Sequence, residues 1–170
     1  MNKEKTILFL IAGLTILVLG GIVLFSLNEG KQASSLGSAV SHSPTDKQRP
    51  QAQASSLFAD LGSMEVKDEK KAEFAIENKG TKPLQLSRIS SSCDCTFAEL
   101  TIGGVKSPEF GMHSNSSWVG TVDPGKSATL SIFYRPFIMP VKGIVTRDVY
   151  VTTNDPEKPT LTFSIKAFVE

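Results

Sequence analysis

Leu161-Thr162-Phe163-Ser164-Ile165-Lys166-Ala167-Phe168-Val169 is the stretch that decides the fold. Leu161, Phe163, Ile165, Ala167 and Val169 alternate with Thr162, Ser164, Lys166 and Phe168. Successive side chains of a strand point to opposite faces, so this period of two predicts a strand with one buried face. The same period recurs upstream. Ala72, Phe74 and Ile76 alternate with Lys71, Glu73 and Glu77, and Asn78-Lys79-Gly80 supplies a turn. Leu84 and Leu86 begin another strand that runs to about Ser90. Asp123-Pro124-Gly125 is a turn signal, after which Ala128, Leu130, Ile132 and Tyr134 alternate with polar neighbours. Val145, Val149 and Val151 line a further strand, broken by Asn154-Asp155-Pro156. With Cys93, Cys95 and Phe97 on one face of a strand, and a short first strand around Met64 to Val66, the count is about seven. No amphipathic helix interrupts them. Such a pattern predicts an all-β, immunoglobulin-like β-sandwich over 57–170, with a closed barrel as the rival.

Upstream the composition changes twice. Residues 28–56 are rich in Ser, Gln, Ala, Gly and Pro without an apolar period, which reads as a flexible extracytoplasmic stalk with a reach of about 30 Å. Thr6 to Leu27 carries no charge and is dominated by Leu, Ile and Val. At ~1.5 Å per residue such a helix covers the ~30 Å hydrocarbon core. Lys3 and Lys5 precede it, whereas Glu29 and Lys31 after it cancel. The expectation is a single-pass transmembrane signal-anchor helix at 6–27, with residues 1–5 cytoplasmic and the C-terminal domain extracytoplasmic at the cell membrane. A cleaved leader would have a shorter apolar run and a small-x-small site, and Ser26-Leu27-Asn28-Glu29-Gly30 makes a poor one.

Charge is nearly balanced, 18 basic against 17 acidic residues, which gives no argument for nucleic acid. No paired carboxylates, phosphate-cradling glycine loop or Ser/His/Asp set stands out, so the chain is read as non-enzymatic. The candidate chemistry is confined to Cys93-Asp94-Cys95 and to Met112-His113. In a regular strand the two cysteines would lie about 6.6 Å apart on one face, too far for a disulfide. A bridge requires a turn or bulge, and its small ring would be easily reduced. Three readings stay open. The thiols pack in the core as small apolar groups. Alternatively they cycle between dithiol and disulfide, although a strand Cys-x-Cys lacks the helix N-terminus that lowers thiol pKa in Cys-x-x-Cys enzymes. Or Cys93, Cys95, Met112 and His113 hold a soft metal, copper before zinc, because thiolate, thioether and imidazole suit Cu(I).

Four segments carry a family resemblance. Phe58-Ala59-Asp60-Leu61-Gly62 opens the domain. Phe74 to Gly80 ends in Asn-x-Gly and is followed by Pro83-Leu84. Ser92-Cys93-Asp94-Cys95-Thr96 is similar to a Ser-Cys-Gly-Cys-Thr motif. Val151 to Pro159 carries Thr-Asn-Asp-Pro and a second proline. Together they resemble the bacterial domain-of-unknown-function family numbered 1573, an immunoglobulin-like group related to Hydin-type and major-sperm-protein-like domains. Asp94 stands where that family has glycine, and 102–122 is an inserted stretch. The resemblance implies an immunoglobulin-like fold and an extracytoplasmic setting, and no activity. The expected function is a binding or structural module whose partners are the membrane, through the helix, and an envelope protein. Trp118 is expected to cover the core, and Tyr150 and Phe168 to fall on polar faces.

Overall fold

The computed structural model describes residues 42–170; the anchor read at 6–27 and the first part of the stalk lie outside the described residues. Ten strands form: β1 (Ala52–Ala54), β2 (Phe58–Met64), β3 (Lys70–Asn78), β4 (Leu84–Ser91), β5 (Thr96–Ile102), β6 (Val105–Lys106), β7 (Val119–Val122), β8 (Ser127–Tyr134), β9 (Gly143–Thr153) and β10 (Thr160–Val169). They make two five-stranded sheets, ordered β1-β3-β8-β5-β6 and β2-β10-β9-β4-β7. All pairs are antiparallel except β2 with β10. The alternating apolar faces meet between the sheets, where the Phe74 and Phe163 ring centroids are 5.1 Å apart. Among the described residues the architecture is an all-β sandwich without helices.

Three differences from the sequence reading have local causes. The strand count rises from about seven to ten because β1, β6 and β7 are too short to complete an apolar period. The strand expected around Met64 to Val66 instead ends at Met64, since Phe58 to Met64 pairs in parallel with β10. Pairing thus extends upstream of Leu57, into the stretch read as stalk. Finally, Cys93 and Cys95 occupy a turn, and β5 starts after them at Thr96. That one-residue shift turns Thr96, Ala98 and Leu100 inward and leaves Phe97 half-buried on the outer face, under the Arg135 guanidinium at 4.6 Å.

Two of the four motifs are staples at the end where the chain enters the sandwich. Asn78 is fully buried, and its amide makes four hydrogen bonds. It donates to the Lys82 carbonyl at 2.8 Å and the Val122 carbonyl at 2.9 Å. It accepts from the Gly80 amide at 3.0 Å and the Gln51 amide at 3.3 Å. Gly80 lies against backbone, where a Cβ would overlap the Arg49 carbonyl and the Gln51 amide. From the β9–β10 turn, buried Asp155 accepts from the Ala52 amide at 2.9 Å and the Glu157 amide at 3.0 Å, and pairs with Arg49 at 3.1 Å. Asn154 accepts from the Gln85 amide at 2.8 Å. A three-residue strand is marginal by itself, and the Asn78 and Asp155 side chains hold β1 in register, while Asn154 ties the turn to β4. Trp118 packs partly buried against the core, 5.6 Å from the Phe110 ring.

Candidate functional site

The opposite end of the sandwich carries the chemistry. Arg147, which touches this chemistry, is eight residues along the chain from Asp155, so the two places are roughly 25 Å apart. At this far end the β4–β5 turn holds Cys93 and Cys95, joined as a disulfide with Cα atoms 5.2 Å apart. That separation is shorter than the strand spacing, which is why the turn permits the bridge. The Thr96 amide donates to the Cys93 carbonyl at 3.1 Å and closes the turn. The Arg135 amide donates to the Cys95 carbonyl at 2.8 Å, and Ser91 Oγ donates to the Cys93 carbonyl at 2.8 Å. The core-thiol reading is therefore half right: both sulfurs are buried, yet they are bonded to each other.

The two sulfurs are not equivalent. Cys95 is 0% exposed and Cys93 8%. Arg147 donates through Nε to Cys95 Sγ at 3.3 Å, and Thr96 Oγ1 lies 3.8 Å from the same sulfur. The Cys95 amide donates to Cys93 Sγ at 3.1 Å, and Met139 Sδ lies 3.8 Å from Cys93 Sγ. Arg147 occupies an inward slot of β9, between Val145 and Val149, and is half-buried. Among the described residues no carboxylate pairs with it; its Nη1 donates to the Thr146 carbonyl at 2.8 Å. Tyr134, opposite Thr96 in the β5–β8 ladder, is fully buried, and its hydroxyl is the buried side-chain polar atom without a hydrogen-bond partner among the described residues. Burial pushes the Tyr134 phenol above the ordinary tyrosine value, against a smaller opposing pull from the Arg147 charge.

The inserted stretch does return toward this turn. His113 Nε2 lies 3.7 Å from Asp94 Oδ1, both groups facing solvent. Met112 and His113 line an open groove of about 600 Å³ with Arg88, Ser90 and Asn115, and neither cysteine is part of that lining. Arg88 sits there at φ 46°, beside a register shift between β4 and β9. Of the four residues expected to share a soft metal, the structure joins Cys93 to Cys95, and their sulfurs are disulfide sulfurs rather than thiolates. Among the described residues no three His, Cys, Asp or Glu side chains form a metal-binding group.

Sequence reasoning missed Arg147, Met139 and Tyr134. Arg147 had a readable signal, a charge in an inward slot of an otherwise apolar alternation. Met139 had none, being 46 residues from Cys93 in an irregular loop. That loop, between β8 and β9, exposes Phe137, Ile138, Met139 and Val141 by 42–48% each. Ile144 and Phe168, a cross-strand pair on the outer face, extend the apolar surface, with Ile144 70% exposed. The start of the loop is fixed by Arg135, whose guanidinium forks onto Glu109 with two bonds of 2.9 Å and also bonds Glu69. These carboxylates hold the Arg135 guanidinium pKa above its ordinary value.

Among solved structures, a protein of unknown function from Porphyromonas gingivalis W83 is similar at a TM-score of 0.55 and 22% identity, covering 73% of this chain and 49% of that one. A family 123 glycoside hydrolase from Clostridium perfringens is similar at a TM-score of 0.51 and 12% identity, over 71% of this chain and 27% of the hydrolase. At such identities the likeness is one of fold, and this chain spans less than half the length of either protein. No curated protein matches the sequence. The model of the HYDIN/CFA65/VesB-like Ig-like domain matches residues 50–167, and the chain belongs to that family.

Proposed function

We propose that this chain displays a non-enzymatic binding module outside the cytoplasm, held by its N-terminal apolar run, and that the module receives an envelope protein on the β8–β9 loop. The reading includes the finer family assignment, the bacterial group that the four motifs resemble. One observation carries it. Phe137, Ile138, Met139, Val141, Ile144 and Phe168 are all exposed at one end of the sandwich. Single exposed apolar residues are ordinary, whereas six at one end, four of them in one loop, mark an interaction surface. A photo-crosslinker placed at Ile138 of the full chain, in its own envelope, should capture a discrete protein. The same probe at Lys79, next to Asn78 at the opposite end of the sandwich, should not, and Phe137→Ser should abolish the product. Equal capture from both positions would refute the reading.

A second reading, soft-metal binding, is favoured by the Cys93–Met139 contact of 3.8 Å. If the disulfide is reduced, two thiolates and this thioether stand together, a donor set suited to Cu(I), with Met112 and His113 within the same end of the domain. Anaerobic Cu(I) titration of the reduced full chain tests it. Unchanged affinity in Cys93→Ser/Cys95→Ser would end it.

A further inference from the structure

A disulfide between two cysteines separated by one residue closes a ring too small to brace distant parts of the fold. The turn it spans is already held by the Thr96, Arg135 and Ser91 hydrogen bonds. Its surroundings, by contrast, are polarised along the sulfur–sulfur bond. Cys93, the more accessible sulfur, borders the exposed β8–β9 loop through Met139. Cys95, fully buried, faces a guanidinium that has no carboxylate partner among the described residues. On β8, opposite Thr96 and within reach of the Arg147 charge, the Tyr134 hydroxyl is buried without a hydrogen-bond partner among the described residues. An arginine in an inward slot of the strand with its Nε on a sulfur is placed to stabilise negative charge if that sulfur becomes a thiolate. Unpartnered buried polar groups have the same implication, because native interiors leave few of them.

We propose that the Cys93–Cys95 disulfide exchanges with a dithiol on a polypeptide partner, Cys93 being the sulfur attacked and Cys95 the leaving thiolate, with Arg147 holding the negative charge. One partner thiol loses its proton to solvent, and its thiolate attacks Cys93 Sγ. The new bond joins partner sulfur to Cys93 Sγ, the Cys93–Cys95 bond breaks, and its electron pair leaves on Cys95 Sγ beside Arg147 Nε. The second partner thiol, deprotonated in turn, attacks the partner sulfur of the mixed disulfide and expels Cys93. The two thiolates of the domain take up two protons. The partner dithiol is oxidised to a disulfide, and the domain disulfide is reduced to a dithiol. Exchange is faster when the leaving thiol has a low pKa, which is what an adjacent arginine supplies. The charged and titratable groups around the pair are Arg147 from β9, Tyr134 from β8, and Asp94 with His113 on the solvent side. Only the identity of the dithiol rests on the partner surface proposed above.

The full chain in detergent micelles tests this in three measurements. The ultraviolet absorbance of the thiolate in Cys93→Ser reports Cys95, which should titrate well below the free value of about 8.5, with Arg147→Met moving it back up. Reduction of the disulfide by dithiothreitol should slow roughly tenfold in Arg147→Met and recover in part in Arg147→Lys. With the peptide supplied as its disulfide, the Cys93 thiolate of Cys95→Ser should attack it, form the mixed disulfide and release a peptide thiolate, seen by mass spectrometry, and Cys93→Ser should trap far less. A Cys95 that titrates near 8.5 and ignores Arg147→Met overturns the proposal. So do equal slowing in Arg147→Met and Arg147→Lys, the mark of a packing role, and equal trapping at either cysteine. Retained exchange chemistry with no effect of Phe137→Ser on capture would refute the partner surface alone.

Discussion

Replacing Asn78 with aspartate exchanges one amino group for one oxygen at constant volume, and the structure predicts a loss of about 4 kcal/mol at pH 7. The two bonds accepted from Gln51 and Gly80 survive the change. The two donated to the Lys82 and Val122 carbonyls do not. Each lost bond is worth about 1 kcal/mol net, and a buried acceptor left facing another oxygen adds roughly 1 kcal/mol more apiece. In a urea titration with a slope of about 2 kcal/mol per molar, the midpoint falls by roughly 2 M. The penalty depends on pH with a definite sign. Burial and two facing carbonyls disfavour the carboxylate in the folded chain, so its folded pKa stands above the unfolded value of about 3.9. Above that folded value the full deficit applies. As the pH falls through it, the folded state binds its proton first, one donor is regained, and the gap to wild type narrows. Urea midpoints of both proteins at pH 7 and pH 5 check this. A deficit under about 1 kcal/mol at pH 7, or one that widens on acidification, would refute the assignment of Asn78 as a four-bond staple.

Gly80→Ala should cost about 3 kcal/mol or more, because the new Cβ meets the backbone of residues 49–51 rather than a side chain that can move. Hydrogen exchange should show β1 losing protection before the rest of the sandwich. Tyr134→Phe removes a buried hydroxyl that lacks a partner, so stability should hold or rise by up to about 1 kcal/mol in thermal melts near pH 7. Wild-type stability is intact below pH ~10 and is lost as pH rises through the raised folded value of the phenol; Tyr134→Phe should not show that alkaline loss.

The sandwich was legible wherever a strand ran through several periods of alternation, as β3, β8, β9 and β10 do. β1 was not, because Ala52-Gln53-Ala54 is a strand by virtue of Asp155, more than a hundred residues away, and not of its own pattern. Cys93, Cys95 and Phe97 read as one strand because they carry a period of two up to β5. The turn breaks that period, and only the position of Thr96 opposite Tyr134 reveals where the ladder starts. The chemistry was legible as a pair of sulfurs and no further. Their asymmetry depends on Arg147 and Met139, which tertiary folding brings from β9 and from the loop before it. The anchor read at 6–27 rests on hydropathy and flanking charge.

The Asn78 and Asp155 staples lie at one end of the strands and the apolar loop at the other, and this arrangement has a mechanical meaning. Tension between the chain upstream of Arg49 and anything gripping Phe137 to Val141 runs lengthwise down the sheets. Pulled that way, the ladder bonds between β1 and β3, and between β3 and β8, bear the load together in shear instead of opening one after another. The Arg49–Asp155 ion pair takes strain before any of them, at the point where the chain enters. A module built like this resists pulling along its axis far better than prying from its edge.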